Sequence, residues 1–449
     1  MLYGILGEYL AAMRSYRLPP TELKKLQERR LRHQLLFAYD HVPYYHRLLK
    51  DQGLRPGDFN HAEDVRKLPT LSKEIILRNY PDEMLARGIR IRSGGLTAGT
   101  TGPPTPFCRG PVTERRILAL RLRRMHLTGV HLWEKAVYMP YWGADVSGRA
   151  ALSGPRMSTL AKRISSLPYK MRDLVLGYRV LPLGPGNMKA VAMMLARYKP
   201  SILRARPSYL RRVAGIVKEL DPSFSVKKVF TEGEVLTQGT REDLRSSYDA
   251  EVFDEYGSAE FSGLGFECKS HRGIHLNSDY YIFEFLGRDG YPAGEGERAE
   301  LIVTGLMDDA MPLIRYRIGD YVIRDSEERC ECGSSFPRLK LIDGRTYDGL
   351  VAGSGELIPP GSIIEHLETV LGLRGFQLVQ EGGTDFLLKV RKEDLDGRTV
   401  GAVREYLNFV LGTDVALRTE LWDDSKMPIK FRPVTRAPNT RNPAGRVAP

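Results

Sequence analysis

The chain has 449 residues, 42% hydrophobic, 9% aromatic and 27% charged, which gives a prior of about two or three domains and excludes a stapled mini-protein, global disorder or a fibrous repeat. Lysine and arginine number 67 against 55 acidic residues, a formal charge of +12. That surplus favours anionic partners, among them nucleotides, coenzyme phosphates, nucleic acid and acidic membranes.

The opening MLYGILGEYLAAMRSYRLPP carries Glu8 within its apolar part and has no basic leader or small-residue cleavage site, so it does not read as a signal peptide. No apolar run reaches the ~18–20 residues needed to span a bilayer. With only four cysteines, too few for a disulfide framework, the expectation is a reducing, cytoplasmic compartment. Residues 21–41 place Leu23, Leu26, Leu31, Leu35 and Ala38 at helical spacing, and Val42–Pro43 end that helix. A loop dense in Gly, Ser, Thr and Pro (93–106) then feeds a second helix, Thr113–Leu127.

Short β-like runs (KAVYMP, KKVFTEG, AEVFDEYG, YYIFEFL, RAELIVTGL) then alternate with helical ones (NMKAVAMMLARY, PSYLRRVAGIVKEL, TREDLRSSY). The alternation predicts an α/β body with substantial parallel sheet, more β-rich from about residue 274. A boundary is expected at Ile342-Asp343-Gly344-Arg345, dividing a body of 1–343 from a small α+β module of 344–449 that ends in a loose Pro- and Asn-rich tail.

Thr97-Ala98-Gly99-Thr100-Thr101-Gly102-Pro103 combines bulk-free glycines, whose N–H groups can converge, with three hydroxyl donors, which is what a polyphosphate needs. It is not a Walker sequence, and alone it is more often merely a turn. Four further segments follow: Thr231-Glu232-Gly233-Glu234, Tyr256-Gly257-Ser258-Ala259-Glu260, Arg315-Tyr316-Arg317-Ile318-Gly319-Asp320 and, near the end, Pro428-Ile429-Lys430-Phe431-Arg432. Each has a plain reading in isolation, as a strand-end turn, a salt-bridged strand or solvated surface.

In this order the segments resemble the motifs of the adenylate-forming (acyl-activating) superfamily. With HVPYYHRLLKDQGLRPGDFNHAEDVRKLPTLSKE at the start and RCECG and IDGR later, they are most similar to its phenylacetate-CoA ligase branch and CapK-like relatives. The resemblance implies the superfamily's fold, a large α/β body with a small mobile α+β C-terminal domain. It implies binding of ATP phosphates by Thr97, Ala98, Gly99, Thr100, Thr101 and Gly102, and of adenine by the backbone around Gly233 and Glu234. Tyr256 and Gly257 would lie between the adenine and acyl pockets, Glu260 would hold Mg²⁺, and Asp320 would receive the ribose hydroxyls. Arg345 and Lys430 would meet charge developing in the transition state. Ala98 and Pro103 replace the usual Ser and Lys of the loop, Ile429 replaces a Gly, and Tyr347 stands at the usual hinge Asp, with Asp348 beside it.

The implied reaction is adenylation of a carboxylic acid, an aromatic one as first expectation, with pyrophosphate release and transfer to CoA thiol. The alternatives are delivery to an amine, protein or saccharide, or a nucleotide-binding protein without turnover. Tyr141, Trp142, Pro207 and Tyr209 are candidate walls of the acyl pocket. The arginines Arg115, Arg116, Arg121, Arg123 and Arg124 crowd one helix without the aromatics or module of a nucleic-acid binder, so they read as a solvated face. Cys330-Glu331-Cys332 sets two thiols in a knuckle, and Cys268 with His271 or His275 can complete a Cys₃His set suited to structural Zn²⁺. The branch's Cys…Gly-x-His spacing favours His275. Nothing in the sequence fixes the oligomeric state.

Overall fold

The computed structural model describes residues 2–97, 103–131, 133–140, 178–181, 183, 186–287, 289–326, 329–345, 349–373, 375–422 and 432–437. Its centre is an eleven-stranded mixed sheet. One half is parallel and runs β4 (Arg179–Val180), β3 (Ala136–Tyr138), β5 (Ile202–Ala205), β6 (Lys228–Glu232), β7 (Glu251–Tyr256). Helices Met188–Tyr198, Pro207–Leu220 and Gln238–Tyr248 connect these strands. Parallel neighbours require such crossovers, and the helices bury Val191, Leu195, Val213 and Val217 against Leu203, Val229 and Val252. Fully burying each such side chain contributes ~1.5–3 kcal/mol.

From β7 the sheet continues antiparallel through β8 (Gly265–Glu267), β9 (Ile274–Leu276), β13 (Arg338–Arg345), β12 (Tyr316–Arg324), β11 (Arg298–Gly305) and β10 (Tyr281–Leu286). Asp320 and Arg345 are register partners on β12 and β13, so Gly344 and Arg345 still belong to the large sheet. The next residues carry a second core. Leu350, Ile363, Leu367, Leu378, Leu388, Val403, Leu407 and Val434 pack together under the four-stranded sheet β18 (Ala416–Leu421), β17 (Asp385–Val390), β16 (Gln377–Gly382), β19 (Val434–Arg436). Gly344 has φ +101°, and a Cβ there would lie 2.5 Å from Pro360 Cγ. Only glycine lets the last turn of β13 pass under the helix Pro360–Thr369 of that second unit.

Two sequence expectations change. The stretch 93–106 is not all loop: β1 (Ser93–Leu96) pairs with β2 (Pro106–Arg109) as a hairpin, leaving the Thr/Gly segment at its tip. Nor are the helix arginines one solvated face. Arg116 and Arg123 are both 0% exposed, held 2.7 Å from Asp308 and 2.6 Å from Asp279. A guanidinium that keeps its charge in the interior needs such a partner.

Candidate functional site

The helix Pro111–Leu127 after the Thr/Gly segment is set by Asp309, whose carboxylate accepts from the backbone N–H of Gly110, Val112 and Thr113 at 3.1, 2.7 and 3.2 Å. This satisfies donors that a helix start leaves orphaned. At the mouth of the segment Thr97 N donates to Thr105 O at 2.9 Å, and Thr105 N donates to Thr97 Oγ1 at 3.0 Å. The tip is thereby clamped at its base. Ala98, Gly99, Thr100, Thr101 and Gly102 lie outside the described residues.

Across from it, the Tyr256 hydroxyl donates to Asp320 Oδ2 at 2.7 Å, while Arg345 Nε meets Asp320 Oδ1 at 2.8 Å. Arg345 Nη1 also donates to Ile318 O at 3.2 Å. A carboxylate offers about four acceptor positions, so Asp320 retains capacity for two further donors. Burial, reinforced by Asp320, pushes the Tyr256 hydroxyl well above its ordinary pKa, keeping it a donor. Glu260 Oε1 accepts from the Tyr316 hydroxyl at 2.9 Å, which orients a carboxylate that lines the same cavity as Thr97.

Tyr256 and Gly257 stand between two cavities. The first is lined by Gly233, Glu234, Asp320, Ile342, Arg345 and Arg432. Glu234 Oε2 accepts from Ser208 N at 3.1 Å and Oε1 from Ser208 Oγ at 3.0 Å, which caps the helix Pro207–Leu220 and orients the Gly233 turn, φ +74°. The second, about 600 Å³, runs from Thr97 and Glu260 along the C-terminal ends of β3, β5, β6 and β7. Open α/β sheets bind ligands at that edge, where loops leave the strands and no further strand residue fills the space.

A third cluster has none of its residues in the lining of either cavity. Cys268, His275, Cys330 and Cys332 bring one ligand atom each within 4.8 Å of one another. Cys268 Sγ is 3.7 Å from Cys330 Sγ, and His275 Nε2 is 3.4 Å from Cys332 Sγ. A tetrahedron with zinc–sulfur arms of ~2.3 Å has edges of ~3.8 Å, so these separations suit zinc. The cysteines are unbridged. The hydrogen bond with Cys268, with those of His275 and Tyr16, lowers the Cys332 thiol against the cost of burial, and the same bond raises Cys268 in return. His271 is elsewhere, 3.2 Å from Glu251 and 3.4 Å from Glu267.

The sequence is 27% identical to the phenylacetate-coenzyme A ligase of Thermus thermophilus over 76% of this chain and 74% of that one. It is 23% identical to Protein CapK of Staphylococcus aureus over 74% of the chain and 69% of the relative. A 2-hydroxyisobutyryl-CoA ligase in complex with an acyl-AMP superposes with a TM-score of 0.75 at 22% identity, over 94% of this chain and 91% of that one. The fold is that of the adenylate-forming CoA ligases. No family model matches the chain.

Within that fold, the structure brings Thr97, Gly233, Glu234, Tyr256, Gly257, Glu260, Asp320 and Arg345 to the walls of two adjoining cavities. Lys430, Tyr347, Asp348, Tyr141 and Trp142 lie outside the described residues. Of the other expected acyl-pocket walls, Pro207 lines the first cavity, not the second. Tyr209 is 2% exposed in the core among Leu210, Val213 and Tyr248. The sequence reading missed Tyr138, Tyr178 and Arg204 and took Arg121 and Arg124 for solvated surface; all five, with Glu232 of the Thr231–Glu234 stretch, line the second cavity. One signal was present: Ile117, Leu120, Arg121 and Arg124 recur at i, i+3, i+4 and i+7, one stripe of the helix Pro111–Leu127. Among the described residues no helix is long and apolar enough to cross a membrane.

Proposed function

We propose that the chain is an ATP-dependent, adenylate-forming ligase that converts a carboxylic acid to an acyl-AMP with release of pyrophosphate and passes the acyl group to CoA. The observation that carries the reading is Tyr256, bonded to Asp320, which in turn pairs with Arg345, standing between two cavities with Glu260 on the far side. The first cavity takes the adenosine, with Asp320 accepting from the ribose hydroxyls. The phosphates then extend past Thr97 and the Thr/Gly tip toward Glu260, and the acid enters the second cavity. Mg²⁺ favours one or two carboxylates together with substrate phosphates, a role that suits Glu260; when bound it screens charge on the phosphate oxygens. Thr97 and the backbone of the tip donate to those oxygens, and Arg345 and Lys430 stabilise negative charge as the acid's oxygen attacks and pyrophosphate leaves. The unit after residue 343 carries Lys430 and turns about residues near 344 to exchange the adenylating surface for the one that admits the thiol. The Cys₃His cluster holds a structural zinc, with four protein ligands and no position for a reacting water.

The test is exchange of labelled pyrophosphate into ATP across a panel of acids, followed by thioester formation with CoA. Exchange with one acid class and a CoA thioester as product supports the reading. Exchange without a CoA product moves the acceptor to an amine, protein or saccharide. No exchange with any acid leaves a nucleotide-binding protein without turnover and sinks the proposal, and Lys430→Ala with undiminished exchange removes that lysine from the mechanism.

A further inference from the structure

The first cavity is shared between the two units. Gly233 and Tyr256 in its wall belong to the body, whereas Ile364, Glu368 and Arg432 belong to the second unit. The cavity therefore has this shape only while the two units keep this arrangement, and what holds them there also holds the nucleotide site together.

The helix Pro360–Thr369 is tied to the body at both ends. At its start Ser362 N donates to Asp343 Oδ1 at 3.0 Å, one residue before the Gly344 turn. Toward its end Glu365 and Glu368, one turn apart, meet the start of the helix Gln238–Tyr248. Glu365 Oε2 accepts from Gln238 N at 3.3 Å. Glu368 accepts from the Thr237 hydroxyl, from Thr240 Oγ1 at 3.0 and 3.2 Å and from Arg211 Nη1 at 3.4 Å. A helix start offers orphaned N–H groups and the positive end of its dipole, so two carboxylates suit that position.

A turn about residues near 344 treats the two ties differently. Ser362 lies at the turning point. Glu368 is six residues further along the helix, ~9 Å away at 1.5 Å per residue. A turn of only ~15° across the helix axis moves that point by ~2 Å, beyond hydrogen-bond distance. The Glu368 contact and the turned arrangement thus exclude each other. The contact is also built to open. Arg211 keeps Asp243 at 3.0 Å, Thr237 Oγ1 keeps the N–H of Thr240 at 3.2 Å, and the carboxylate returns to water.

We infer that Glu368 is a positioning residue, the latch that holds the second unit in the adenylating arrangement, and that its release from Thr237, Thr240 and Arg211 accompanies the turn that admits the thiol. The inference rests on the proposed two-step reaction. Engaged, the latch keeps the second unit's wall on the nucleotide cavity; released, it frees that unit for the second step. Weakening it shifts the population toward the turned arrangement, so the two half-reactions respond in opposite senses.

The experiment measures both halves separately with the full-length protein. Pyrophosphate exchange is followed with ATP varied and the best acid from a panel of phenylacetate, benzoate, hexanoate and 2-hydroxyisobutyrate. Thioester formation is followed from the chemically prepared adenylate of that acid, saturating, with CoA. For Glu368→Ala the expected kcat/KM for ATP in exchange falls at least tenfold, chiefly through KM, while the rate of thioester formation equals or exceeds that of the parent. Glu368→Gln, which keeps a carbonyl acceptor, stays within about threefold of the parent in exchange. Thr240→Val, which removes one hydroxyl and leaves the carboxylate and the helix cap, shifts both halves in the same directions as the alanine by a smaller factor. A parallel fall in both half-reactions overturns the inference and leaves Glu368 a structural contact. Exchange unchanged in Glu368→Ala and Thr240→Val overturns it too, with the adenylation reading standing. No exchange by the parent with any acid overturns the adenylation reading, and this inference with it.

Discussion

Glu368 joins the second unit to the body, and replacing it by Ala tests what that joint is worth. It projects from the helix Pro360–Thr369 and is 6% exposed. Its oxygens accept from the Thr237 hydroxyl, from Thr240 Oγ1 at 3.0 and 3.2 Å, and from Arg211 Nη1 at 3.4 Å. Arg211 keeps Asp243 at 3.0 Å, and Thr237 Oγ1 still accepts from Thr240 N at 3.2 Å as the cap of the helix Gln238–Tyr248. What the alanine removes is the acceptor for two buried hydroxyls, at ~1–3 kcal/mol each, less what water entering the cleft restores. The expected loss is about 2–4 kcal/mol in the contact between the units, and Glu368→Gln, which keeps a carbonyl acceptor, loses about 1 kcal/mol. Urea unfolding followed at Trp422, whose backbone N–H donates to Val390 O at 2.7 Å in the small unit, reads this directly once Trp133 and Trp142 are replaced by Phe. With a denaturant slope of ~1–3 kcal/mol per molar, the alanine midpoint falls by about 1 M or more. Coincident midpoints for parent, Gln and Ala would refute the reasoning.

Purified protein is expected to hold about one equivalent of zinc by elemental analysis. Cys330→Ser or Cys332→Ser lowers that to near zero and lowers the melting temperature, while His271→Ala keeps the metal; a metal-free parent would remove the brace. Tyr256→Phe takes a donor from a buried carboxylate, worth ~1.5–3 kcal/mol, so AMP binding by calorimetry weakens about tenfold, and unchanged affinity would dissociate Asp320 from the ribose. Asp254 is buried, and burial together with Glu267 raises its carboxyl to about 8 despite the Thr231 hydroxyl. A folded pKa above the unfolded ~3.9 means the native state holds a proton the unfolded chain has lost. Asp254 therefore makes stability fall as pH rises between roughly 4 and 8, by up to about 1.4 kcal/mol per unit. Asp254→Asn should flatten that slope and gain stability at pH 8, and parallel pH–stability curves for parent and variant would show that Asp254 is ionised in the native state.

What was legible in the sequence follows from how far apart the cooperating groups lie. The Thr/Gly segment, the Gly233 turn and the Tyr256–Glu260 stretch are each contiguous in the chain, so short strings of residues carry them. The helices Pro20–His41 and Pro207–Leu220 were readable for the same reason, since an apolar stripe at helical spacing is a local pattern. The wall of the second cavity is assembled from β3, β5, β6, β7, the helix Pro111–Leu127 and Tyr178, and no one of those segments announces it. The helix arginines show the difference most clearly. Arg116 and Arg123 differ from Arg121 and Arg124 only in which face they occupy, yet two are buried against Asp308 and Asp279 and two point to the cavity. From the helix alone all four look like solvated charge, because the carboxylates that let a guanidinium be buried are more than 150 residues away in the chain. Each of those buried pairs is neutral, so Arg116 and Arg123 add nothing to the +12 surplus, whereas Arg121 and Arg124 are where the same helix meets the second cavity.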